Sequence, residues 1–280
     1  MSYAILGGKG MLGRALRELL TAKKLPFGIY DLPDFDITNR GQLENAIGPE
    51  LKAVINCAAY TNVDAAESDE ANATKINGTA VKLLAQVCAE RGIPLVHYST
   101  DYVFPGDASE PYLVDQQQSP LGAYGRSKAV GERALWTTGG PYLLLRTSWL
   151  YAPWANNFVR TIYKFSRAQD ALKVVSDQRG RPTSSEHLAR VTLQLLDQGA
   201  RGTFHVTDGG ECSWHEFATE IVRLAGHKAQ VNACTSEEFA RPAKRPAYSV
   251  LDLSRTERAV GAMPRWQDNL ADVMARLEPV

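Results

Sequence analysis

The chain has 280 residues, with 31 basic and 31 acidic side chains, so its net charge is zero with histidine neutral. That length suffices for one large domain or two modest ones with a sizeable core. The charge balance leaves no electrostatic footprint for a nucleic acid or an anionic membrane.

The N-terminal YAILGG (3–8) reads as a strand, followed by a helix over 10–20 with Leu12, Leu16, Leu19 and Leu20 on one stripe. FGIYD (27–31) and KAVINCAA (52–59) are the next strands. A long helix follows over 69–92, stopped by Gly92 with Pro94 behind it. Residues 94–104 read as strand then loop, 124–135 as helix and 142–151 as strand. Continuous apolar strands alternating with helices imply a parallel sheet covered on both faces. Further on, 156–168, 184–196 and 213–226 read as helices, 172–177 as a strand, and 202–208 separates the last two helices. The expected fold is a Rossmann-like, doubly wound α/β sheet from residues 1–150 plus about 172–208. Residues 151–171 plus 209–280 are expected to form a smaller C-terminal α/β substrate lobe.

The longest apolar runs, YLLLR and LKVV, suit buried strands and are too short to cross a membrane. Cys57, Cys88, Cys212 and Cys234 show no paired spacing, and neither CxxC nor HxxxH occurs. The N-terminus enters a strand directly, without a charged leader. Reduced thiols in a cytoplasmic protein with no metal are expected.

ILGGKGMLG spaces Gly7, Gly10 and Gly13 between the first strand and the first helix. There Gly7 permits the tight turn, Gly10 lets the backbone approach a pyrophosphate, and Gly13 allows close helix–strand packing. A tight turn without a ligand is the bland alternative. Asp31 ends the second strand, where a carboxylate accepts the adenosine ribose hydroxyls and repels a 2′-phosphate. It favours NADH, while Lys9, Arg14 and Arg40 leave NADPH open; it also reads as a turn residue before Pro33. Asp36 and Ile37 lie beside the expected adenine position, with helix capping as the other reading of Asp36.

AYGRSKAVGE places Tyr124 and Lys128 four apart on one helix face. A phenol normally titrates near ~10. A neighbouring ammonium favours the phenolate and brings tyrosine toward the range of a general acid. Thr100, at the C-terminal end of a strand, is placed to donate to a carbonyl oxygen. Alone, a Tyr-x-x-x-Lys pair is most often a decorated surface helix; in this order, after the glycine turn and Thr100, it is more specific.

With these motifs, and with DFDITN, VINCAAYTNVDAAE, LVHYSTDYVF, LLLRTSWLYA, VVSDQRGRPTS and RPAYSVLD, the chain resembles the dTDP-4-dehydrorhamnose reductase family of extended short-chain dehydrogenase/reductases nearly end to end. The resemblance implies NADPH or NADH as cofactor and a dTDP-keto-deoxysugar as substrate, whose C4 ketone is reduced. It implies Thr100, Tyr124 and Lys128 as the catalytic trio. It implies cofactor contacts at Gly7, Gly10, Met11, Leu12, Asp31, Asp36, Ile37, Ala58, Ala59 and Tyr60, and substrate contacts at Val63, Asp101, Tyr102 and Trp149.

Physical alternatives are core filling for Trp149 and turn capping for Asp101. Asn157, at a helix start, faces the nucleotide or caps the helix. In RPAKRPAY, Arg241, Lys244 and Arg245 suit a diphosphate, and the family pattern favours Arg245. Some relatives dimerise through Mg²⁺ held by a glutamate early in the first helix. Ala15 stands at that position, so no metal and no metal-bridged dimer are expected, only a monomer or weak homodimer. YAPWANNF has Pro153, Trp154 and Ala155 where glycines are frequent, and Trp154 is expected to alter what the pocket accepts. Two other readings remain: a 4-ketoreductase for a different nucleotide deoxysugar, and a non-catalytic, dinucleotide-binding regulatory subunit.

Overall fold

The protein is described from a computed structural model, over residues 2–278. The first lobe is built from β1 (Ser2–Leu6), α1 (Met11–Ala22), β2 (Phe27–Tyr30), α2 (Arg40–Ala46), β3 (Leu51–Asn56), α3 (Val63–Ala66), α4 (Glu70–Thr74), α5 (Ala80–Glu90), β4 (Leu95–Thr100), α6 (Ala123–Thr138) and β5 (Tyr142–Thr147). The second begins with β6 (Leu150–Tyr151), α7 (Phe158–Ala168), β7 (Ala171–Val175), β8 (Arg179–Gly180) and β9 (Thr183–Ser184). The chain then returns through α8 (Ser185–Asp197) and β10 (Gly202–His205) before β11 (Cys212–Ser213), α9 (Trp214–Ala225), β12 (Gln230–Cys234), α10 (Ser254–Val260) and α11 (Trp266–Met274).

Six parallel strands form one sheet in the order β10-β5-β4-β3-β1-β2. The leucine stripe of α1 packs with Leu188 and Leu195 of α8 on one face. Leu43, Val81, Leu84 and Leu135 cover the other. Strand β4 is buried along its whole length, as a strand covered on both faces must be.

The strand expected in the main sheet from residue 172 lies instead in the second lobe, where β7 pairs with β12 in parallel. Its side chains alternate between exposed and buried, the pattern of a strand covered on one face only. Leu172 and Val174 pack with Phe217 and Ile221 of α9. Strand β10 joins the main sheet beside β5. The long helix expected over 69–92 is broken by a π-helical turn, Lys75–Thr79. The buried Asn77 side chain accepts from Tyr60 N (2.9 Å) and donates to Tyr60 O (2.9 Å) and Ser127 Oγ (2.9 Å). Those bonds reward the extra residue in the turn and fix the segment after β3. Asp208, fully buried, joins the lobes: it accepts from Tyr151 Oη, Ser184 N and Asn269 Nδ2, and sits 2.7 Å from His187 Nδ1.

Candidate active site

A cavity of about 700 Å³ opens at the C-terminal ends of the parallel strands, the position open α/β sheets use for ligands. One end is walled by the first βα turn. Gly7 has φ +71°, and a Cβ there would lie 2.6 Å from Ala58 N. Gly10 caps α1 in an extended conformation with no side-chain bond to the first turn, which leaves the N–H groups of Met11 and Leu12 available at the positive end of the helix. Asp31, Asp36, Ile37, Ala58 and Ala59 complete this end.

Asp31 is held by Lys9 N (2.7 Å) and Leu32 N (2.8 Å). Asp36 accepts from Thr38 N, and the cap of α2 is Asn39. Gly13 lies behind the turn, where a Cβ would sit 2.4 Å from Gly7 O, so its part is packing. Tyr60 is off the wall too, its ring packed with Ala66, Ala73 and Ala123.

Midway along the cavity stand Thr100, Tyr124 and Lys128. Thr100 ends β4, while Tyr124 and Lys128 share one face of α6. Thr100 Oγ1 donates to Asp101 Oδ1 (2.9 Å) and accepts from Tyr102 N (3.2 Å). Lys128 is 2% exposed and donates to Tyr98 O at 2.6 Å. Burial lowers its ammonium to about 8, against the opposing pull of Glu132. Tyr124 differs from expectation. Burial, then the Asp101 carboxylate and Tyr102, push its phenol above the ordinary value, while the hydroxyl of Thr100 works the other way. The half-buried ring therefore carries its proton at neutral pH, the form that donates one. Asp101, 3% exposed, is raised to about 6 by burial against the hydrogen bonds that favour its charge. Behind Lys128, the buried Glu132 is tied to Arg146 at 2.7 Å.

Val63, Asp101, Tyr102 and Trp149 line the far end. Trp149 takes φ +47°, a left-handed conformation that is costly for a bulky side chain. Its indole stacks on Trp214 at 3.6 Å and 13°. Gly180 leaves the space: a Cβ there would fall 2.6 Å from the Trp149 ring. Trp214 also lines the cavity, a placement that its residue type alone does not reveal. Its signal is S-W-H-E, a capping box in which Ser213 and Glu216 set Trp214 as the first residue of α9.

Three further expected contacts lie off the wall. Asn157 caps α7, with Oδ1 accepting from Arg160 N and Nδ2 donating to the carbonyls of Ala152, Trp154 and Ala155. Arg245 pairs with Asp64 (3.2 Å), behind Val63 and Tyr102, and Arg241 approaches the same carboxylate at 3.6 Å. Trp154 is buried against α1, and Ala155 and Asn156 form the lip in its place. Ala15 faces the core at 3% exposure. Among the described residues, no group of three or more His, Cys, Asp or Glu side chains is placed to hold a metal, and no helix is long and apolar enough to cross a membrane.

Residues 1–278 match the family model described as the RmlD substrate binding domain. A probable dTDP-4,6-dihydroxy-2-methyloxan-3-one 4-ketoreductase of Streptomyces antibioticus is 39% identical, over 100% of this chain and 98% of the relative. The crystal structure of a dTDP-4-dehydrorhamnose reductase from Clostridium acetobutylicum superposes with a TM-score of 0.94 at 41% identity, covering 98% of this chain and 99% of that one. One from Bacillus anthracis, in complex with NADP, gives 0.94 at 35% identity with the same coverage.

Proposed function

The chain belongs to the RmlD substrate binding domain family, and from that premise we propose that it reduces the C4 ketone of dTDP-4-dehydro-L-rhamnose to give dTDP-L-rhamnose, with NADPH or NADH as reductant. The observation that carries this reading is one continuous cavity that runs from the glycine turn, past Thr100, Tyr124 and Lys128, to Trp149.

A dinucleotide fits its first end on the structure's own terms. Gly7 and Gly10 leave the backbone bare, the first turn of α1 has no side-chain cap, and Asp31 stands at the end of β2. In this reading Met11, Leu12, Ala58 and Ala59 border the dinucleotide, and Asp31 meets the adenosine ribose. Bound there, the nicotinamide supplies a hydride.

The chain's own groups do the rest. Tyr124 gives its proton to the alkoxide oxygen as charge develops there. Lys128, anchored by Tyr98 O, holds positive charge beside that proton transfer. Thr100 orients the carbonyl once its hydroxyl turns from Asp101. Val63, Tyr102 and Trp149 border the sugar nucleotide.

A test compares wild type with Tyr124→Phe on dTDP-4-dehydro-L-rhamnose. The variant should keep NADPH binding and lose roughly 10²–10⁴-fold in kcat. Turnover at the wild-type rate sinks the assignment. A second reading is favoured by the Streptomyces relative, named a 4-ketoreductase for a different nucleotide deoxysugar. Relative kcat/KM on dTDP-4-keto-6-deoxy sugars of both C5 configurations separates the two. NADPH binding without turnover on any of them would mark a non-catalytic subunit.

A further inference from the structure

The segment after β6, residues 152–157, is fastened to the first turn of α1 as well as to its own lobe. Trp154 Nε1 donates to Met11 O at 3.1 Å, and Asn157 Nδ2 lies 3.9 Å from Met11 Sδ. The Arg14 guanidinium stacks over the Trp154 indole at 4.3 Å and pairs with Glu278 at 2.5 Å. Glu278 N in turn donates to Pro153 O, and Arg160 bonds both carbonyls, Pro153 O and Glu278 O. The tip of the same loop, Ala155 with φ +57° and Asn156, is exposed and forms the cavity's lip. Asn157 gathers the loop carbonyls behind that tip. Met11 therefore has two neighbours: through its backbone N–H the pyrophosphate end of the cavity, and through its carbonyl the indole that sets the lip.

We propose that Trp154 is a positioning residue that couples the two ligands, so that filling the glycine turn with a dinucleotide organises the Ala155–Asn156 lip for the nucleotide sugar. The proposal rests on the reading of the preceding subsection for what the two ends hold. A phosphate on the first-turn N–H groups fixes Met11, and the bonds from Trp154 and Asn157 pass that order to the loop. The second ligand then loses less freedom on binding. Such coupling is reciprocal by linkage.

Calorimetric titration of dTDP, with and without saturating NADP⁺, measures it. In wild type, NADP⁺ should tighten dTDP about 5-fold or more. Trp154→Phe keeps a ring over α1 and removes the N–H. It should bring that ratio toward one, a fall of about 2-fold or more, within the worth of one neutral hydrogen bond, while each ligand alone binds within about twofold of wild type. Hydrogen exchange on the unaltered protein gives a second reading: amides of residues 152–158 should gain protection on addition of NADP⁺ alone. An unchanged ratio in Trp154→Phe, or amides indifferent to NADP⁺, overturns the coupling. Failure of wild type to bind dTDP at all overturns instead the nucleotide-sugar reading beneath it.

Discussion

Replacing Asp101 by asparagine tests what burial of this carboxylate costs the fold. A carboxyl that ordinarily titrates near ~3.9 does so at about 6 here, with burial the dominant cause. Two decades of proton affinity correspond to roughly 3 kcal/mol, an upper figure for a side chain that also accepts a hydrogen bond from Thr100. The sign follows from proton uptake. Between about pH 4 and 6 the folded protein keeps a proton at Asp101 that the unfolded chain has released, so stability falls as pH rises through that window and levels off above it. Asparagine removes this dependence. Asp101→Asn should match wild type near pH 4 and exceed it by about 1–3 kcal/mol at pH 8, or about 2–6 °C in Tm for a chain of this size. The assay is thermal melting of both proteins from pH 4 to pH 8. A gap that does not widen with pH, or a variant less stable at pH 8, refutes the reasoning. Activity should move the other way, because the charge sits beside Thr100 and the sugar end.

The alkaline limb of kcat/KM against pH should fall as Lys128 loses its proton near about 8, the ammonium being present below that value and lost above it. Lys128→Met should abolish the limb along with most activity. Gly180→Ala sets a methyl 2.6 Å from the Trp149 indole; KM for the nucleotide sugar should rise several-fold with NADPH binding unchanged, and the exciton couplet of the stacked indoles in circular dichroism should collapse. Glu132→Gln leaves Arg146, itself 1% exposed, without its counter-charge and should cost about 3–5 kcal/mol in urea unfolding.

Much of the first lobe was legible because its signals are local. The glycine turn needs positive φ and bare backbone, and the Tyr-Lys pair needs only one helix face. What escaped depends on partners distant in sequence. The π-helical turn exists because Asn77 finds Tyr60 and Ser127, neither of which periodicity within 69–92 reveals. Strand β7 resembles a sheet strand, but its partner is the polar β12, which carries no apolar pattern. The family pattern points to Trp154 and Arg245 as pocket residues, but the indole finds an acceptor on α1 and the guanidinium a carboxylate on α3. Trp214 was hidden because a single aromatic at a helix start is ordinary until Trp149 stacks on it.

The order in which the chain visits its two lobes limits how such a protein can diversify. The edge strand of the main sheet, β10, is laid down only after β6 to β9 have been placed in the other lobe. A fragment ending near residue 150 would leave the backbone of Leu143–Leu145 on β5 unpaired along the edge that β10 covers. Exchanging the second lobe for that of another protein would require several simultaneous cuts, one of them beside the buried Asp208. The two halves are thus not interchangeable modules. New substrates are most accessible by changing short segments already at the cavity mouth, such as residues 155–156 and the start of α9, while the interlaced scaffold stays intact.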